Sequence, residues 1–294
     1  MKTLTILSGK GGVGKSSITA SLSVILSKKE DIVATDCDVD ASNLSLILQS
    51  ESKNRKERKI SSSEKVFFDP DKCTSCGKCK DVCAFSAIDW NEEKEMPEIN
   101  RYLCEGCGTC ELVCPEGAFQ IKKVKNATIS SYDTRFGFPL VSGQLKMGES
   151  GSGKVVTEVK REAEGKEADF MVVDSPAGIG CPVIASVRGS DYVIAVTEPT
   201  PSGFSDLERV LKIVEHFGID VGIIINKWNL NKEMAEKISS FADSNGMKLL
   251  GKIPYDKKFV ESLVNMKTVV EVDPEYKNLF EEILKNIKED MDDM

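Results

Sequence analysis

The chain has 294 residues, of which 40% are hydrophobic and 29% are charged, and its formal net charge is −8. No apolar run approaches the ~18 residues that a membrane-spanning helix requires, so we expect no membrane insertion. The acidic balance argues against nucleic acid as the main partner. The chain starts directly with a predicted strand, without a charged and apolar leader, and we therefore expect a cytoplasmic protein.

The first motif lies between a short apolar strand at residues 4–7 and an apolar helix. Its text is SGKGGVGKSS, which contains the P-loop pattern GxxxxGKS. Glycines let successive backbone N–H groups point at an anion, and the helix N-terminus adds the positive end of its dipole. The sequence therefore predicts a nucleoside triphosphate site on Gly9, Lys10, Gly11, Gly12, Val13, Gly14, Lys15, Ser16 and Ser17. A chance match to a Gly-rich turn is the alternative.

Three side chains of this loop have predicted chemistry. In a P-loop, Lys15 reaches the β- and γ-phosphates and Ser16 ligates Mg²⁺. The text KGGVGKS also resembles the deviant Walker A loop of the MinD/ParA/Mrp and nitrogenase iron-protein group. The resemblance implies that Lys10 reaches across a dimer interface to the partner's nucleotide, where a cation stabilises charge on the transferred phosphoryl group. A solvated surface lysine is the alternative.

A second buried strand, at residues 32–35, runs into the acidic segment DCDVDASNL. Carboxylates at the C-terminal end of a strand beside a P-loop lie where an α/β sheet binds its ligand. We exclude an EF-hand, because Ala41 stands at its glycine position and Ile47 at its bidentate glutamate. The segment resembles switch I of MinD-like ATPases, which implies that Asp38 activates the attacking water and Asp36 holds a Mg²⁺-bound water. Acids that merely end a strand are the alternative.

A polar segment from about Lys53 to Lys65 indicates a domain boundary. The basic run KNRKERK at residues 53–59 is most simply a solvated linker or face. We predict an ATPase domain at residues 1–60 and 126–294, with an inserted domain at residues 61–125.

The inserted segment repeats the pattern C-x2-C-x2-C-x3-C. This is the spacing of bacterial two-cluster ferredoxins, in which the fourth cysteine of each run ligates the other cluster. Three thiols so spaced crowd a tetrahedral zinc site, and therefore a pair of zinc ribbons is disfavoured. The sequence predicts a small α+β ferredoxin domain with two [4Fe–4S] clusters, one on Cys73, Cys76, Cys79 and Cys114 and the other on Cys83, Cys104, Cys107 and Cys110.

Beyond residue 125, predicted strands and helices alternate, which is typical of a doubly wound, mostly parallel α/β sheet. The apolar strand at residues 170–173 ends at Asp174, the Walker B position. We predict that Asp174 holds a Mg²⁺-bound water beside a glycine-bearing loop that senses the γ-phosphate. The other predicted strands are 141–146, 192–197, 221–225 and 248–253, and the predicted helices are 155–163, 204–217, 232–244 and 274–287.

Several further residues have weaker signals. Asn226 and Lys227 follow a strand, and Asn226 resembles the base-reading asparagine of this ATPase group, while Pro254 would pack against adenine. A plain strand-end turn is the alternative. Cys37 and Cys181 lie in the two switch loops and are most simply small, buried or half-buried thiols. Cys181 also resembles the switch II cysteine of the nitrogenase iron protein.

Nearly the whole chain resembles MinD-superfamily ATPases that carry an inserted two-cluster ferredoxin domain. The resemblance implies a slow, partner-stimulated ATPase that binds ATP or ADP with Mg²⁺. It also implies an ATP-dependent homodimer, or a heterodimer with a paralogue. We expect nucleotide state to be coupled to electron transfer through the clusters to a redox partner protein. The alternatives are a cluster assembly or carrier ATPase of the Mrp type, and a MinD/ParA-like positioning ATPase with a redox module.

Overall fold

The computed structural model describes residues 1–49 and 55–292. The chain divides into two compact units. The first unit contains Met1–Arg58, Ile129–Gln144 and Gly153–Met294, and the second contains Lys59–Thr128 and Leu145–Ser152. Residues 53 and 54 of the predicted basic linker lie outside the described residues.

The strands and helices are numbered in chain order. The strands are β1 (Lys2–Ser8), β2 (Ile32–Asp36), β3 (Lys56–Ile60), β4 (Ser63–Phe68), β5 (Ile88–Asn91), β6 (Met96–Ile99), β7 (Phe119–Val124), β8 (Ala127–Asp133), β9 (Pro139–Leu145), β10 (Phe170–Ala177), β11 (Tyr192–Thr197), β12 (Val221–Asn226) and β13 (Lys248–Ile253). The helices are α1 (Lys15–Leu26), α2 (Leu44–Ile47), α3 (Lys78–Asp81), α4 (Thr109–Val113), α5 (Ser152–Glu164), α6 (Cys181–Val187), α7 (Pro201–His216), α8 (Lys232–Ser244), α9 (Lys258–Val264), α10 (Val269–Val272) and α11 (Pro274–Asp292).

A large sheet organises the first unit, with strand order β13-β12-β11-β1-β10-β2-β9-β8-β3. Every neighbouring pair from β13 to β9 is parallel. Strands β2 and β11 are buried along their whole length, as expected for a parallel sheet covered on both faces. The predicted mostly parallel α/β sheet is therefore confirmed. The carboxyl ends of its parallel strands meet at one edge.

The basic run interpreted as a solvated linker or face contains a strand. Strand β3 is the last strand of the large sheet, and of its residues only Ile60 is buried. An edge strand keeps one side in water, and charged side chains there discourage pairing with another chain. A strand without apolar alternation has no periodic signal, which explains why the sequence did not predict a strand here.

Helices cover both faces of the sheet because successive side chains of a strand point to opposite faces. In β1, Ile6 joins the core that α1 and α11 cover, whereas Leu7 joins the core that α7 and α8 cover. The apolar stripe of α11 packs in the core, since Tyr276, Phe280, Ile283, Leu284 and Ile287 are all buried. No helix in the described part of the chain is long and apolar enough to cross a membrane.

The second unit contains two antiparallel strand pairs, β4 with β7 and β5 with β6. Its core combines apolar side chains with cysteines, including Cys79, Cys104 and Cys110. The unit also takes in residues 145–152, which the sequence assigns to the ATPase domain. The side-chain amide Nδ2 of Asn126 donates to the Ser150 carbonyl at 3.0 Å and thus connects that segment to the rest of the second unit. The ferredoxin assignment of this unit stays a prediction.

The Phe280→Ala variant tests the role of α11. Phe280 is 0% exposed, and removing its ring should lower the free energy of unfolding by about 3–5 kcal/mol through lost burial and a residual cavity. Urea denaturation followed by far-UV circular dichroism measures the change. In the control Lys285→Ala, the lost side chain is 73% exposed and the change should stay within about 0.5 kcal/mol. Equal stability of the two variants would contradict the packing role.

Candidate nucleotide site and cysteine site

The P-loop connects β1 to α1 at the carboxyl edge of the sheet. Gly12 and Gly14 have backbone φ angles of 79° and 95°, which residues other than glycine rarely adopt. A Cβ at Gly9 would lie 2.3 Å from the Asp206 carbonyl oxygen, and one at Gly14 would lie 2.4 Å from Asn226 Nδ2. The backbone conformation and the close neighbours therefore both require glycine in this loop.

A cavity of about 250 Å³ opens at this loop. It brings together most of the predicted loop residues and Asp38, and it is lined by Ser8, Lys10, Gly11, Gly12, Val13, Gly14, Lys15, Ser16, Ser17, Asp38, Asn43 and Ala177. Sequence reasoning missed Ser8, Asn43 and Ala177 as lining residues, although Ser8 directly precedes the predicted site and the other two lie in the predicted switch segments. Pro254 is not among these residues, and its predicted contact with adenine stays a prediction.

The buried carboxylate of Asp174 lies beneath the loop. Lys15 Nζ donates to its Oδ1 at 2.8 Å, and Thr19 Oγ1 donates to the same oxygen at 2.9 Å. Asp174 is 0% exposed, and its Oδ2 has no hydrogen-bond partner among the described residues. A buried carboxylate oxygen without a partner is costly, and a cation or its bound water would satisfy it. The donor set therefore fits Mg²⁺ beside a nucleotide phosphate.

Asp36 organises the segment that follows β2. Its Oδ2 accepts hydrogen bonds of 2.8–2.9 Å from Ser42 Oγ, Asn43 N and Leu44 N. Burial, and next the neighbouring Asp174 carboxylate, raise the pKa of Asp36 to about 7. The structure thus gives Asp36 a loop-holding role, and its predicted contact with a Mg²⁺-bound water stays a prediction.

Asp38 lies half-buried at the cavity wall. Burial raises the pKa of its carboxyl, and the nearby Lys15 ammonium opposes that shift. This position allows Asp38 to contact a water molecule in the cavity. The catalytic role itself stays a prediction.

Glu198 forms an ion pair with Lys10, the extra lysine of the loop. The sequence did not indicate this role of Glu198. Lys10 Nζ lies 2.6 Å from Glu198 Oε1, and Lys227 Nζ lies 2.9 Å from Glu198 Oε2. Burial raises the pKa of Glu198, but hydrogen bonds from the two lysines outweigh burial and leave the pKa lowered. Glu198 directly follows β11 as Asp36 ends β2, and this placement of an acid is the signal that could have revealed it. Asp174 lies within β10, which continues to Ala177 instead of ending at Asp174 as predicted.

Asn226 and Lys227 support the loop from the end of β12. Asn226 is buried and donates from Nδ2 to the Val13 carbonyl at 2.6 Å. Lys227 Nζ donates to the Gly12 carbonyl at 2.9 Å. These contacts differ from the predicted reading of a base by Asn226, which no observation tests.

The two cysteines of the switch segments have opposite environments. Cys37 is buried, as predicted, and burial raises the pKa of its thiol to about 12. Cys181 is exposed at the start of α6, so the expectation of a buried or half-buried thiol was wrong there. The first turn of a short surface helix leaves its side chain in water.

In the second unit, Cys83, Cys104, Cys107 and Cys110 line one cavity. The amides of Ala87 and Ala118 donate to Cys83 Sγ and Cys114 Sγ, each at 3.3 Å. Throughout residues 1–49 and 55–292, no group of three or more His, Cys, Asp or Glu side chains is arranged to hold a single metal ion. The two clusters and their ligand sets stay predictions.

Comparison with known proteins identifies the family. The model of the CobQ/CobB/MinD/ParA nucleotide binding domain matches residues 4–269. An uncharacterized protein of Methanocaldococcus jannaschii is 36% identical over 287 residues, which cover 97% of this chain and 96% of that protein.

Solved structures share the fold. The cell division ATPase MinD of Pyrococcus furiosus matches with a TM-score of 0.60 at 20% identity, covering 98% of both chains. The septum site-determining protein MinD of Pyrococcus horikoshii, solved with Mg-ADP, matches with a TM-score of 0.59 at 20% identity, covering 97% and 95%. The predicted family is confirmed: the chain belongs to the CobQ/CobB/MinD/ParA family of nucleotide-binding P-loop ATPases.

Proposed function

We propose that the protein is a MinD/ParA-like ATPase that binds ATP with Mg²⁺ at the P-loop and dimerises when ATP is bound. The observation that carries this proposal is the buried, half-satisfied carboxylate of Asp174 beside Lys15 and the glycine loop. Of the functions that the sequence leaves open, the MinD/ParA-like alternative fits the family match better than electron transfer does.

In this proposal the chain's own groups position the phosphates. Loop N–H groups and Lys15 bind the phosphate oxygens, while Ser16 and Asp174 hold Mg²⁺ directly or through water, with Asp36 as a further candidate. Mg²⁺ would neutralise charge on the β- and γ-phosphates. Asp38 orients the attacking water from the cavity wall and accepts its proton.

The contact between Lys10 and Glu198 gives a reason why turnover would be slow and stimulated by a partner. In the single chain its ammonium is bound to Glu198 and to the hydroxyl of Ser202 at 3.1 Å. Reaching a nucleotide in a second chain requires Lys10 to leave Glu198, so hydrolysis would wait for dimerisation. A homodimer and a heterodimer with a paralogue both satisfy this requirement, and we place the protein in the cytoplasm.

A second function is favoured by the cysteine-lined cavity. We propose that the second unit holds two [4Fe–4S] clusters and passes electrons to a redox partner protein in a nucleotide-dependent way. Support comes from the four thiols around one cavity, and from N–H groups that donate to Cys83 and Cys114 as in iron–sulfur sites. A four-iron cluster is several ångströms across, so its ligands stand farther apart than those of one zinc ion. Full cysteine ligation makes cluster donation, the Mrp-type alternative, less favourable.

The Lys10→Ala and Lys15→Ala variants separate dimer-dependent catalysis from binding. Lys15→Ala should abolish ATP binding, because the phosphates lose their cation. Lys10→Ala should retain binding but lose the ATP-induced dimer, and turnover should fall by about 10³-fold, as when an arginine finger is removed. Calorimetry, light scattering and phosphate release measure the three properties, and Lys28→Ala is the control on an exposed lysine.

The Glu198→Gln variant should have the opposite effect on association, since it weakens the ion pair that holds Lys10. Dimers should then form at lower ATP concentration than in the parent protein. Parental turnover in Lys10→Ala would contradict the proposed role of the extra lysine.

The Asp38→Ala variant should retain ATP and accumulate as an ATP-bound dimer. Turnover should fall by about 10²–10⁴-fold, the usual contribution of a general base, because the attacking water is no longer activated. ATP should stay bound, because the phosphate contacts persist. Single-turnover hydrolysis and nucleotide affinity measure the two effects. The control Asp40→Ala removes an exposed acid from the same segment and should hydrolyse ATP normally. An Asp38→Ala protein that loses ATP affinity would count against the role.

Anaerobically purified protein should contain about eight iron and eight sulfide per chain. Replacing Cys104 and Cys107 together with serine should remove about half of the iron, whereas Cys181→Ser, outside the repeat, should remove none. Metal and sulfide analysis of the three proteins tests the second function independently of ATP hydrolysis. Stoichiometric zinc without sulfide would refute the clusters.

A further inference from the structure

The two halves of the second unit are related by an internal repeat. The cysteine pattern recurs after 31 residues, so that Cys73 corresponds to Cys104. The same shift relates the two strand pairs. The partners Ile88 and Ile99 of β5 and β6 correspond to Phe119 and Phe68 of β7 and β4. The register thus shows which residues occupy equivalent positions in the two halves.

Lys65 breaks this equivalence. It is paired with Lys122, whereas the corresponding pair of the other half is Met96 with Asn91. Lys65 is 1% exposed, and its Nζ donates to the Cys104 carbonyl at 2.7 Å. A buried cation therefore contacts a cysteine loop in one half, where the other half has a neutral thioether.

The counter-ion of Lys65 is loosely placed. Glu149 Oε2 lies 3.8 Å from Lys65 Nζ, beyond hydrogen-bond distance, and has no hydrogen-bond partner in the described part of the chain. The ammonium makes its short contact with Cys104 rather than with Glu149. The charge of Lys65 is thus only partly compensated on the side of the cysteine loop.

We propose that Lys65 makes the two clusters unequal, so that the cluster on Cys83, Cys104, Cys107 and Cys110 accepts an electron at a higher potential than the other. This inference rests on the cluster pair of the proposed function. Each cluster takes up one electron from an external reductant and becomes more negative by one charge. A nearby cation buried in a low-dielectric environment favours that added charge. Lys65 therefore raises the potential of the cluster beside Cys104, and the first electron would reside on that cluster.

The experiment is an anaerobic redox titration with dithionite, followed by electron paramagnetic resonance, on the full chain. The parent protein should show two one-electron steps. In Lys65→Met, the upper step should move down by about 59 mV, a tenfold change in the one-electron equilibrium, while the lower step stays. In Met96→Lys, the lower step should rise.

Two further variants sharpen the test. Glu149→Gln removes the counter-charge and should raise the upper step. The control Lys122→Met removes an exposed cation from the cross-strand neighbour of Lys65 and should leave both steps in place, because water and salt screen exposed charges. If Lys65→Met loses iron, the upward shifts expected of the lower step in Met96→Lys and of the upper step in Glu149→Gln still decide the question.

Failure of the Lys65 inference and failure of the cluster proposal give different results. A parent protein with eight iron whose potentials do not respond to Lys65→Met, Met96→Lys or Glu149→Gln overturns the inference and leaves the clusters intact. A parent protein without iron overturns the clusters and the inference together, and leaves the ATPase proposal standing.

Discussion

The burial of Asp174 is the constraint on which the first unit depends. A carboxylate with 0% exposure must be paired, and Lys15 and Thr19 of α1 pair one of its oxygens. These contacts join β10 to the helix that follows the P-loop, in the middle of the parallel sheet. The other oxygen stays available for a cation. One buried charge thus links the packing of the sheet to the chemistry of the site.

A second charged group couples the loop to its surroundings. Glu198 binds Lys10 and Lys227 with different oxygens, and Lys227 also binds the Gly12 carbonyl. The extra lysine of the loop is therefore engaged within its own chain. In the proposed dimer, breaking this contact costs free energy, which the binding of the second chain and its nucleotide would have to supply. The arrangement would give a physical basis for the proposed dependence of hydrolysis on dimerisation.

The second unit illustrates how a small unit is stabilised. Its core is short of large apolar side chains, and cysteines occupy several core positions. Units of this size bury limited apolar area, and structural metals or cross-links commonly complete their stability. The repeat gives the two halves equivalent strand pairs, and Lys65 gives one of them a buried cation where the other half has Met96. Similar folds can in this way acquire different properties at equivalent sites.

The sequence by itself determined the P-loop, the parallel α/β class and the end of β2 at Asp36, because these features follow from local patterns. It placed the end of β10 at Asp174, whereas that strand continues to Ala177. Glycine spacing, continuous apolar runs and terminal acids are all visible within short windows. It did not reveal β3, the Glu198 contact or the burial of Lys65. An edge strand has no apolar alternation, and the two charged contacts join residues that are distant in the chain. Only the tertiary structure decided which charges are buried and which meet, because burial depends on what packs around a residue.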